Sequence, residues 1–245
     1  SACSPEATPV PRTGPIIDQS DDATPARGSS VRSVAMRSRP ILPLCGAAVA
    51  LSIATAVVYP NGYLLGLHTY AVLPLGACIA AALAWQTLEP GWRILVLRRR
   101  GIYSAVQTWL LLCVTAVSII VTLLTLANTV LRDGTDPSVV VPVIRAGALW
   151  LILGATGILG ALWVVVRYGI GWALGASAIL IIVSATLGGD VLANTWLWVL
   201  GPIAWPLSAD TPARFAIAAI VGISAAIGAW MLSGRSLRNA TARGA

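Results

Sequence analysis

The chain has 245 residues, of which 57% are hydrophobic and only 10% charged, with a formal net charge of +7. A soluble domain carries roughly 25% charged residues, so this balance excludes that class. Long apolar runs between short charged knots also exclude a β-barrel, whose strands alternate over short segments, and leave an all-α polytopic membrane protein.

Residues 1–39 are polar and rich in Pro, Ser, Asp and Arg. They hold too little apolar surface to offset ordering, so a disordered tail is expected. The end of this tail, SSVRSVAMRSRP, reads as an interfacial helix at 30–39 or as plain stop-transfer charge. In the helical reading Val31, Val34 and Ala35 face lipid and Arg32, Arg37 and Arg39 meet head groups.

The membrane domain is predicted over 40–234. The first span is predicted near 41–59, and Pro60, Asn61 and Gly62 mark the turn after it. The second, near 65–87, holds the single histidine, His68, expected as a polar cap at the outer surface. The third falls near 104–130, the fourth near 141–166 and the fifth near 169–187, with only Arg167 and Tyr168 between the last two. Next comes VLANTWLWVLGPIAWPLSA, interrupted by Gly201, Pro202 and Pro206 and carrying Trp196, Trp198 and Trp205. It falls short of the ~20 apolar residues of a span. A sixth span near 215–233 and a tail at 235–245 complete the chain.

Sidedness follows from arginine, since the chain has no lysine. With six spans, Arg12, Arg27, Arg32, Arg37, Arg39, Arg93, Arg98, Arg99, Arg100, Arg167, Arg235, Arg238 and Arg243 share one side. Only Arg132, Arg145 and Arg214 face the other. Basic residues accumulate on the cytoplasmic side, so both termini are expected there. A seventh span would put the basic C-terminus outside. The interrupted segment therefore reads as a re-entrant or interfacial hairpin between spans five and six. Arginine without lysine, with abundant Ala, Gly and Val, reads as codon bias of a GC-rich bacterial genome, and the expected location is a bacterial cytoplasmic membrane. The same placement of arginine explains the positive charge without nucleic acid.

Small residues recur at helix-packing spacing: Gly171 and Gly175 in the fifth span, and Ala218, Gly222 and Ala226 in the sixth. Such stripes let backbones approach, within one subunit or between two. Catalytic patterns are missing. Ser177 has no histidine in a later helix to act as base. Cys3, Cys45, Cys78 and Cys113 lack metal-ligand spacing, and no phosphate loop GxxxxGK[ST] occurs. The expectation is a non-enzyme without cofactor.

The richest polar motif joins spans two and three: Glu89-Pro-Gly-Trp92-Arg93-Ile-Leu-Val-Leu-Arg98-Arg99-Arg100-Gly. It reads as a head-group-binding loop, or as a short surface helix that docks on a partner protein. In the helical reading Trp92, Leu95 and Val96 face the membrane and the arginines pair with acidic groups of a soluble subunit.

In architecture the chain resembles the permease subunits of type-2 ATP-binding-cassette exporters over nearly all of 30–235. Those permeases have six spans, an interfacial helix before the first, a very short loop after the fourth and an outer re-entrant hairpin between the fifth and sixth. The resemblance implies a coupling helix at Glu89, Trp92, Arg93, Arg98, Arg99 and Arg100, and an outer gate at Trp196, Trp198, Pro202, Trp205 and Pro206. It also implies a separate cytosolic ATPase, a second permease half in the same bilayer, and a hydrophobic or amphipathic cargo. A membrane scaffold that anchors other proteins without transport is the alternative.

Overall fold

A computed structural model describes residues 27–98, 101–188 and 195–243. Among the described residues the chain is helical, without strands. Helix α1 (Arg27–Arg37) leads through a turn into α2 (Ile41–Val58). The second traverse is built in pieces: α3 (Asn61–Leu67), a π-helical turn (His68–Val72), α4 (Leu73–Leu88), a 3-10 turn (Glu89–Gly91) and α5 (Trp92–Arg98). Then follow α6 (Ile102–Asp133), α7 (Pro137–Tyr168) and α8 (Ile170–Leu187). Two 3-10 turns (Trp196–Leu200 and Pro202–Ala204) and α9 (Trp205–Ser208) precede α10 (Pro212–Arg243).

Among the described residues, six helices are long and apolar enough to cross a membrane: Ile41–Val58, Gly62–Leu97, Ile102–Asp133, Pro137–Tyr168, Ile170–Leu187 and Pro212–Ala242. By its described residues the chain is a helical, multi-pass membrane protein. An 18-residue helix rises roughly 27 Å, close to the ~30 Å hydrocarbon core. The 32-residue helices α6, α7 and α10 overreach it.

Glycine sets the corners. Gly134 (φ 90°) closes α6, and Gly169 (φ 92°) alone links α7 to α8. Both φ values lie where an L side chain is strained. Asp136 caps α7, accepting from the Ser138 amide at 2.9 Å, with Pro137 in the first turn where its missing N–H costs nothing. That hydrogen bond holds the Asp136 carboxyl below the usual carboxylate range.

Helix α7 is the central post, packed against α10, α6 and α4. Close approach comes from small residues. A Cβ on Gly147 would collide with Thr122 of α6, and one on Gly154 would lie 2.9 Å from Val114. On the other flank a Cβ on Gly222 of α10 would lie 2.6 Å from Ile152. Two apolar clusters fill the bundle. One, toward the α5 end, includes Leu88, Trp92, Ile102, Leu110, Leu162 and Leu237. The other includes Leu64, Val121, Leu149, Trp150, Trp198 and Trp205. Helices α2 and α8 lie at the edge: 11% of the α8 window is buried, against 56% for the second traverse.

Contacts fix the two ends. Trp92 donates to Thr241 of α10 at 3.2 Å, so the end of α10, α5, the start of α6 and α1 share one end, termed the basic end. At the opposite end Arg132 donates to Ala56 O at 3.1 Å and Arg145 to Asp210 O at 2.7 Å.

Three expectations change. Residues 235–243 are not a tail, because α10 runs to Arg243. Hydropathy drops there, but Leu237 and Ala240 stay buried on one face. Val34 of α1 does not face lipid; it is buried, and α1 packs along α6. The second traverse starts before residue 65 and continues beyond 87. The disorder expected for residues 1–26 lies outside the described residues.

Candidate functional site

The basic end is organised by α5. Pro90 sits in the first turn of the 3-10 segment, which turns α4 into α5 without a loop. Trp92 is fully buried between Trp85 (ring centroids 5.4 Å apart) and Tyr103 (5.8 Å), both edge-on. Tyr103 Oη also lies 3.4 Å from Thr241 Oγ1. One threonine thus joins α5, α6 and α10. Trp92 and Leu95 do not face the membrane as expected, since both are buried in the protein. Side chains three apart share a helix face, so Ile94 and Leu97 take the outer one with Arg93. Leu97 is 87% exposed. Glu89 is exposed at the turn, and a Cβ on Gly91 would lie 2.7 Å from Arg37 Nη1, so α1 reaches this corner too. Arg98 is the last residue of α5; Arg99 and Arg100 lie outside the described residues.

A second tie lies one level deeper. Gln107 is buried on α6, and its amide donates to Trp230 O at 2.7 Å and Ser233 Oγ at 2.8 Å. The sequence reading missed both ties. Gln107 was legible as a lone amide in an apolar run, but Thr241 fell in the segment taken for a tail.

At the opposite end the segment 195–211 folds over α8. Its two prolines open short helices, where a missing N–H is tolerated. A Cβ on Gly188 would collide with Ala204, and Gly201 approaches the Ser184 backbone. Ser184 Oγ accepts from the Ile203 amide at 3.3 Å. Trp205 Nε1 donates to Trp198 O at 3.2 Å. Arg214 lies over the Trp198 ring at 5.5 Å and pairs with Asp210 at 3.5 Å. The expected gate tryptophans therefore separate. Trp198 and Trp205 are buried core residues, and Trp196 alone is exposed. Pro202 and Pro206 are half-buried. Residues 189–194 lie outside the described residues.

Between the two ends is a cavity of about 40 Å³ bordered by Cys45, His68, Val72, Cys113, Ser118 and Ile158. His68 does not cap the outer surface. It is 1% exposed, edge-on to Trp150 at 4.5 Å, and neither ring nitrogen has a hydrogen-bond partner among the described residues. Trp150 Nε1 donates to Thr69 Oγ1 at 3.0 Å, which holds the π turn against α7. Among the described residues no group of three or more His, Cys, Asp or Glu is placed to hold a metal ion.

The small-residue stripes divide. Ala218 and Gly222 are buried and pack in the bundle, with Ala226 half-buried beside them. Gly171 and Gly175 do not pack within the chain: a Cβ on either meets nothing within 4 Å.

No protein-family model matches the chain, and no curated protein or solved structure matches it. Its function is therefore argued from its own residues.

Proposed function

We propose that the chain is the membrane-spanning permease subunit of an ATP-driven, ATP-binding-cassette-type exporter in a bacterial cytoplasmic membrane, with the basic end in the cytoplasm. The observation that carries this reading is the two-faced α5. Its inner face is locked to α6 and α10 through Trp92 and Thr241, while its outer face presents bare Ile94 and Leu97 beside Arg93. A partner pushing on that face moves two long helices at once. A soluble ATPase with a matching apolar notch and acidic rim is the partner this chemistry suits.

The arginine distribution supports the orientation. The folded segment 195–211 then lies on the outer side as a re-entrant hairpin over the exit path. The bare faces of α2 and α8, with Gly171 and Gly175, suit a second permease half. The apolar interior suits a hydrophobic or amphipathic cargo. ATP binding in the partner shifts the permease pair between states for which the cargo has different affinities.

The test is the double variant Ile94→Asp with Leu97→Asp, in protein purified from its native membrane. Expected are loss of a co-purifying P-loop ATPase and of its permease-stimulated ATP hydrolysis, with the melting temperature unchanged. Retention of the ATPase by the variant, or no ATPase bound to the unaltered chain, overturns the proposal. The second outcome favours the scaffold alternative.

A further inference from the structure

Two clefts on the α6–α7–α10 face join into one furrow. The first, about 440 Å³, opens at the basic end between α6 and α10, and its cationic groups are Arg235 and Arg238. The second, about 460 Å³, continues toward the bundle centre along Leu111, Ile152, Leu159, Ile223 and Ile227. Trp230 and Met231 line both, so the two clefts adjoin at these side chains.

The polar part is one-signed. Arg235 and Arg238 have no carboxylate partner among the described residues, and no acidic residue lines the cleft. Ser104 already donates to Gly101 O at 2.9 Å, and the Gln107 amide is committed to α10. The free donors are thus the two guanidiniums. They suit a phosphate, and no carboxylate lines the cleft to neutralise a choline or ethanolamine ammonium beside them. From Arg235 to Ile223 the rise along α10 is roughly 18 Å. Half of a hydrocarbon core is about 15 Å. A head group held by the arginines therefore lies at one leaflet surface, with its acyl chain reaching the bilayer centre.

We infer that this furrow is a binding site for one anionic phospholipid of the leaflet at the basic end. The head group sits between Arg235 and Arg238, and one acyl chain lies along Ile223 and Ile227. The site does not depend on the coupling role of α5.

The test is native mass spectrometry of the detergent-purified chain titrated with phosphatidylglycerol, phosphatidylcholine or inorganic phosphate. Phosphatidylglycerol is expected to be retained over phosphatidylcholine by about tenfold or more, and inorganic phosphate not to displace it. Arg235→Gln with Arg238→Gln removes this preference. Arg32→Gln with Arg167→Gln, an equal charge loss at exposed sites of the same end, keeps it. Ile227→Trp fills the apolar part and weakens retention with both arginines intact. Melting temperatures confirm that each variant is folded. Equal retention of the two lipids, equal losses in the two arginine pairs, or full retention by Ile227→Trp overturns the proposal. So does release of the lipid by inorganic phosphate, or a second copy of the chain covering the furrow.

Discussion

At the scale of single residues, His68 and Trp92 show what burial does to a polar aromatic. Trp92 satisfies its one N–H on Thr241. His68 satisfies neither ring nitrogen among the described residues, although it is buried as deeply. An unsatisfied buried polar group costs about 1–3 kcal/mol. Replacing His68 by Phe keeps the edge contact with Trp150, and the adjoining cavity of about 40 Å³ accepts the larger ring. His68→Phe should therefore raise the melting temperature of the purified protein; a fall would show that the imidazole has a partner in the cavity. The sequence marked His68 only by its rarity. Its depth was not legible, because hydropathy ranks residues along a helix and says nothing of which face meets α7.

Elements were more legible than residues. All six spans were readable from the length of their apolar runs, since an interior without water demands helices of bilayer length. The small-residue stripes were readable as patterns but not as contacts. Gly222 and Gly175 look alike in sequence, yet one faces Ile152 and the other open space. Gly222→Val should cost about 1–3 kcal/mol, as overpacking does. Gly175→Ala should be neutral or stabilise by up to about 1 kcal/mol through helix propensity. Thermal denaturation of both variants in one detergent separates the cases. A clear loss for Gly175→Ala would mean that the bare face of α8 is covered in the assembled protein. The short elements were least legible: α5 was readable as a helix, but its burial depends on Tyr103, beyond the next turn, and on Thr241, far from it in sequence.

At the scale of the whole molecule, the chain has two unlike ends. The basic end is held by side chains from α5, α6 and α10, and the opposite end by the segment 195–211 bound to α7, α8 and α10. In the proposed function the first end faces the cytoplasm, as the arginine distribution favours. Ala213 and Ala242 are exposed near the two ends of α10 and make suitable labelling sites. Cysteine at Ala213 should react with an impermeant maleimide in intact cells, and cysteine at Ala242 only after permeabilisation; labelling of both from the same side would sink the arrangement. The halves of the second traverse meet at the π turn His68–Val72, where the backbone carries one residue more than an α-helical course needs. Forcing these residues into regular α-helical geometry, with none removed, would swing everything before the turn by about 100° about the axis. His68 would then leave Trp150 of α7 and Leu64 its buried place, so the turn acts as a phase shifter, letting two differently aimed apolar faces share one span.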